Sequence, residues 1–159
     1  MKRLLPVVLF GVMLAFIGGC RNTPTEPGSP APSDPPGPMT STDLEFCRDE
    51  TNRYRQQQGR PVVGLSESLS ERARLAAEHD HSVAKPHDYF RTHPLGGAEN
   101  EVLWWSGSNV RQTISAAIAE FYSEGPSGGH FQNLMGPYSE LGCGVATGGS
   151  GITFVQDLR

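Results

Sequence analysis

Beyond about residue 40, apolar side chains recur in two rhythms, one of 3.6 residues and one of two. Leu44, Cys47, Thr51 and Tyr54 repeat at helical spacing behind a Thr42/Glu45 capping-box pair, until Gly59 and Pro61 stop the run. This predicts a first helix with Cys47 on its inner face. A second helix is expected from about Ser66, carrying Leu69, Ala73, Ala76 and Val83 inward and ending before Pro86. Its small alanine face predicts close packing. Asn109 with Gln112 caps a third, whose stripe is Ile114, Ala117, Ile118 and Phe121 and whose stop is Gly125 followed by Pro126. Strands are expected at 99–104, 141–147 and 151–157, the last two joined by a Gly-Gly-Ser hairpin turn.

Helices lead and paired strands close the chain, with no βαβ alternation and no internal repeat. The expected fold class is α+β, an antiparallel sheet with helices on both faces, because only that arrangement buries all of these stripes.

The N-terminal segment has a different pattern. Lys2 and Arg3 precede an apolar run from Leu4 to Ile17, which has the charged and apolar regions of a secretion signal and is too short to span a membrane comfortably. The run closes in IGGC, and small residues directly before Cys20 resemble the bacterial lipobox, in which the cysteine is acylated and becomes the new N-terminus. The alternative is an ordinary cleaved signal with an unmodified Cys20. With the lipobox, residues 1–19 are a lipoprotein signal peptide and several acyl chains on Cys20 anchor the chain stably. Arg21 stands where many Gram-negative lipoproteins carry the Asp that retains them at the inner membrane, so the expected address is the outer membrane or cell surface.

Residues 20–40 then form a tether. Prolines at 24, 27, 30, 32, 35, 36 and 38 leave hardly an apolar side chain to bury, and an extended chain of this composition reaches roughly 60 Å. The remaining residues, 41–159, are the size of one domain with a single core.

Charge and cysteine content narrow the class. Loss of Lys2 and Arg3 with the signal takes the formal charge from -4 to -6, and no basic stripe interleaved with aromatics is present, so nucleic acid is not an expected partner. With Cys20 lipidated, Cys47 and Cys143 remain as an even pair in an oxidising compartment. A disulfide between them is favoured over two separately buried thiols. If unstrained it would contribute on the order of 3–5 kcal/mol.

Three polar residues sit where burial is expected. His130 lies in GGHFQNLM, between glycines that permit positive φ or close approach and the apolar anchors Phe131, Leu134 and Met135. Glu99 stands at the start of a probable strand in GGAENEVLWW, and Glu120 in IAEFY beside the buried stripe of the third helix, where the helix dipole disfavours a carboxylate.

The order of TNRYRQQQGRPVV, LSESLSERARLAAEH, AEN, a helical Glu, GGHFQNLM, LGCGVA and a final TFVQD resembles the CAP superfamily, named for cysteine-rich secretory, antigen 5 and pathogenesis-related proteins. The resemblance covers nearly everything after the tether. It implies a three-layer α-β-α sandwich with a central, mostly antiparallel sheet. It also implies a cleft of two histidines and two glutamates, which in this chain would be His93, Glu99, Glu120 and His130. His93 resembles the plant pathogenesis-related spacing before the Glu-Asn motif, and His87 in KPHDYF is its rival. Asn100 would be structural, its amide tying down neighbouring backbone. His79 and His81 are expected to be exposed. Ala98 replaces a usual Gly, Ala117 replaces a frequent Trp, and the Thr that often follows the Gly-His aromatic is missing, departures that bear on the substrate side of the cleft.

Two imidazoles and two carboxylates suit zinc or another divalent cation, with His93 and His130 as the expected direct ligands. Some family members hold such ions in this cleft, and others bind lipid or sterol. No GxSxG elbow and no cysteine nucleophile at a helix start supports covalent catalysis. The expected function is therefore that of a secreted, membrane-anchored, monomeric module that binds a lipid or another envelope component, rather than an enzyme. A metal-dependent hydrolase using the same cleft and a structural envelope protein are the alternatives.

Overall fold

The computed structural model describes residues 39–107 and 109–159. The expected signal peptide, Cys20 and all but the last two residues of the tether lie outside them. In chain order the elements are α1 (Ser41–Gln57), β1 (Gly64–Leu65), α2 (Glu67–Val83), α3 (Asp88–Thr92), β2 (Ala98–Trp105), α4 (Val110–Ser123), α5 (Gly129–Leu134), β3 (Glu140–Gly148) and β4 (Gly151–Leu158). The four strands form one sheet in the order β1-β3-β4-β2. β2 and β3 both run antiparallel to β4, and the two-residue β1 runs parallel to β3. The fold is thus α+β with a mostly antiparallel sheet.

Strand alternation sorts the helices to two faces. Leu141, Cys143 and Val145 of β3 and Phe154 and Leu158 of β4 join Cys47 of α1, Ile114, Ile118 and Phe121 of α4 and Leu134 of α5 in the larger core. On the opposite face Val155 meets Ala73, Ala76 and Ala77 of α2, with Tyr89 of α3 against them. These are the three layers. The small alanine face does what its composition predicts: a Cβ on Gly142 or Gly144 would lie 2.1 Å from Leu69 C or 2.2 Å from Arg74 N, so helix and strand backbones touch.

Local chemistry sets the helix ends. α1 begins two residues earlier than its expected box, because the cap is Thr40 with Asp43: Asp43 N–H donates to Thr40 Oγ1 at 3.3 Å and Thr40 N–H donates to Asp43 Oδ2 at 3.0 Å. Arg111 of α4 holds Asp43 Oδ1 at 2.7 Å, a long-range bond that fixes the first turn of α1. Asn109 caps α4 through Gln112 N–H as its sequence predicts. Val83 is 39 % exposed rather than turned inward, since it ends α2 beyond the sheet. The Cys47–Cys143 disulfide is formed and joins α1 to β3.

Arg55 is fully buried and has no carboxylate partner among the described residues. Its guanidinium donates instead to the carbonyls of Pro61 (2.9 Å), Leu134 (2.7 Å), Gly136 (3.1 Å) and Tyr138 (3.3 Å). The last three leave α5 and enter β3, so one side chain of α1 satisfies the carbonyls at the end of the short helix that carries His130. Arg55→Leu would leave these acceptors dry and unpaired, and a loss of roughly 3–5 kcal/mol is expected in urea denaturation. A loss below about 1 kcal/mol would show that the clamp is dispensable.

Candidate functional site

Two histidines face each other at the β2 edge of the sheet, and each is held by a glutamate through Nδ1. His87 Nδ1 lies 2.8 Å from Glu99 Oε1, and His130 Nδ1 lies 2.6 Å from Glu124 Oε1. An ionised carboxylate only accepts, so each bond places the proton on Nδ1 and leaves Nε2 turned away from its glutamate. The ring centroids are 6.3 Å apart and both rings are about one-third exposed.

His87 stands between α2 and α3, with φ 59 and ψ 17. A non-glycine residue in the left-handed region is strained, and such strain persists where neighbours over-determine it. Here they are the buried acids: His87 N–H donates to Glu101 Oε2 at 2.5 Å and Tyr89 N–H donates to Asp80 Oδ1 at 2.8 Å. The backbone at the start of α3 is therefore fastened to carboxylates of β2 and α2.

His130 is placed by a polar chain through the core. Gln156 of β4 donates to Thr51 Oγ1 of α1 at 2.8 Å and accepts from Asn100 Nδ2 at 3.1 Å. Asn100 Nδ2 also donates to the carbonyl of His130 at 3.2 Å, while Asn133 Nδ2 of α5 donates to Asn100 Oδ1 and to the carbonyl of Glu99, both at 3.1 Å. Glu124, one residue past α4, completes the placement by accepting from His130 N–H at 3.0 Å. Neither Gly128 nor Gly129 has positive φ; that conformation belongs to Gly125, at φ 70. Gly128 serves close approach, because a Cβ there would lie 2.6 Å from Glu124 Oε2.

The expected constellation is therefore regrouped. Glu99 and His130 lie in the cleft, but His93 does not. It ends α3, stacks on Tyr89 at 4.1 Å, and offers its carbonyl to Arg72 Nη2 at 2.6 Å. In place of the expected loop between α2 and β2, the single turn of α3 puts His87 at the cleft and His93 at the exposed end. Glu120 is likewise exposed, and Glu124, four residues on and next to the Gly125 turn, takes the place beside His130. His79 and His81 are half-buried rather than exposed, His79 against Asp88 (3.0 Å) and His81 against Thr153 (2.9 Å).

Sequence reasoning missed Glu101. Its signal was available, since Glu99 and Glu101 are two apart on a strand and so share a face. Asp80, Glu99, Glu101 and Asp157 are all buried, close to one guanidinium and one imidazole. Arg72 Nη1 donates to Asp157 Oδ2 at 2.6 Å and lies 3.5 Å from Glu99 Oε2. Among the described residues, Asp80 Oδ2, Glu99 Oε2, Glu101 Oε1 and Asp157 Oδ1 have no hydrogen-bond partner. Burial accordingly pushes the Glu101 carboxyl up to about 8 and that of Asp157 to about 7, and it raises Asp80 as well. The hydrogen bond to Glu99 raises His87 against the opposing effect of burial. Burial also pushes Glu124 up, but its bonds from His130 outweigh this and hold the carboxyl below its ordinary value. Ligand atoms of His87, Glu99 and Glu101 lie within 4.8 Å of one another, a group that could hold a metal ion. Oxygens without a hydrogen-bond partner on two of its three members, together with an imidazole, fit the donor set of a borderline divalent cation such as zinc.

The domain thus has three α-β-α layers, with two His/Glu pairs meeting at the β2 edge of its sheet. The model of the cysteine-rich secretory protein family matches residues 48–158, and the chain belongs to that family. No curated protein gives a significant match.

Glu101, Asp157 and His87 all hold protons in the folded state that the unfolded chain releases, so stability is expected to fall as pH rises from about 4.5 to about 8. The melting temperature should be lower at the upper end of that interval, and Glu101→Gln should flatten the decline. An unchanged slope in the variant would place the retained protons elsewhere.

Proposed function

We propose that the chain is a secreted, membrane-anchored CAP lipoprotein that binds a lipid or another envelope component at the cleft of His87, Glu99, Glu101 and His130. The observation that carries this reading is the set of unpartnered oxygens on Glu99 and Glu101 beside the half-exposed His87. Buried carboxylate oxygens without a hydrogen-bond partner are costly, and a divalent cation held by Glu99, Glu101 and a His87 imidazole that has given up its Nδ1 proton would offset that cost. When bound, the cation supplies positive charge to an otherwise acidic cleft and so draws an anionic headgroup. His130 flanks the same space, oriented by Glu124 and with Nε2 left to accept a hydrogen bond. Acyl chains on Cys20 and the proline-rich tether would keep the cleft within reach of the envelope.

Calorimetric zinc titration of the full-length chain tests the site. One-site binding should be lost in His87→Ala, reduced on the order of 10- to 100-fold in Glu101→Gln, and unchanged in His93→Ala. Mass spectrometry of an organic extract of the purified chain tests the ligand. An extract with no lipid, from protein that binds zinc, would leave the cation site standing and remove the lipid reading. Zinc binding that survives His87→Ala would remove the site itself.

A further inference from the structure

On the far side of the sheet from β2, strand β3 is only partly covered. β1 pairs with it at Glu140 and Leu141 alone. Gly64 N–H donates to Ser139 O and Ser66 N–H donates to Leu141 O, both at 2.8 Å, so the odd-numbered residues of β3 direct their backbone groups toward this edge. Past Leu141 the same alternation brings the N–H and C=O of Cys143 and Val145 to the edge, where they have no partner among the described residues. A row of unpaired N–H and C=O groups on a strand edge is a ready template for pairing with another chain.

A cavity of about 390 Å³ lies along these residues, with Met39 and Leu44 on one wall and Glu67, Glu71 and Arg74 on the other. Its volume matches roughly two to three residues of extended chain at ordinary strand spacing. The walls differ in chemistry as the two faces of an added strand would. Met39 and Leu44 continue the apolar layer of α1. On the α2 wall Arg74 is spent on Glu71 (2.7 Å) and Glu78 (2.5 Å), while Glu67 has no partner among the described residues, which leaves that wall negative. The tether of this chain suits the edge poorly: seven prolines between residues 21 and 38 lack the ladder N–H, and its acidic residues Glu26 and Asp34 would meet like charge.

We propose that this edge docks an extended peptide segment of another protein, which adds a strand beside β3 with apolar side chains toward Met39 and Leu44 alternating with basic ones toward Glu67 and Glu71. Main-chain hydrogen bonds to Cys143 and Val145 give affinity and the two walls give the sequence preference. The site shares no residue with the His/Glu cleft and stands independently of the function proposed above.

The test is titration of the full-length chain with acetyl-Lys-Val-Lys-Val-Lys-amide, followed by calorimetry. Saturable binding is expected. N-methylation of one alternate set of peptide amides should abolish it, while methylation of the other set changes affinity by no more than about twofold, the signature of a one-sided ladder. Glu67→Gln with Glu71→Gln should weaken binding on the order of fivefold. Absence of binding up to about 1 mM, equal tolerance of both methylated peptides, or indifference to the Glu67/Glu71 change would overturn the proposal. Binding that appears only after residues 21–38 are replaced by Gly-Ser repeats would assign the edge to the tether instead.

Discussion

The cleft depends on a junction of buried amides at Asn100. Its side chain meets the carbonyl of His130, the amide of Asn133 and the amide of Gln156, and Gln156 reaches on to Thr51. Strands β2 and β4 and helices α1 and α5 are thereby locked by directional bonds in a dry environment, where each is stronger than in water and each loss leaves a desolvated group behind. Packing alone would let α5 slide along the sheet, because a six-residue helix buries only Leu134 completely. The junction, with Arg55 holding the carbonyls at the end of α5, fixes where His130 stands relative to Glu99.

Around that fixed point the protein concentrates unfavourable charge. Asp80, Glu99, Glu101 and Asp157 would repel one another strongly if all were ionised out of water, and Arg72 offsets only part of this. Retained protons on Glu101 and Asp157 and the raised His87 relieve the rest in the folded state. Glu101 and Asp80 accept from the backbone N–H groups of His87 and Tyr89 and hold His87 in its left-handed conformation. Strain, retained protons and unpartnered oxygens therefore coincide within a few residues, as expected where a fold carries a binding site.

Much of this architecture was legible in the sequence because it rests on periodicity. The stripes of α1, α2 and α4 and the α+β class come from side chains that must be buried together, the β3–β4 hairpin from its Gly-Gly-Ser turn, and the Cys47–Cys143 pairing from an even pair of cysteines. The errors fall where periodicity gives no signal. A five-residue helix has too few turns to show a stripe, so α3 reads as a loop and His93 reads as free to turn inward. Glu120 and Glu124 are one helical turn apart, and only the approach allowed by Gly128 selects the second. Glu101 was within reach, since the parity of β2 places it beside Glu99. The polar chain from Thr51 to His130 was not, because its bonds join residues 30 to 105 positions apart.

The central claim is that His87 and His130, each oriented through Nδ1 by a carboxylate, are the pair that presents Nε2 to the cleft. Long-range nitrogen–proton NMR of the imidazoles at alkaline pH, with Glu99→Gln and Glu124→Gln to assign the partners, tests it most directly. Both neutral rings are expected to carry their proton on Nδ1, and each glutamate substitution to alter only its own histidine. A proton on Nε2 in either ring, or a response of His93 in place of His87 to Glu99→Gln, would contradict it.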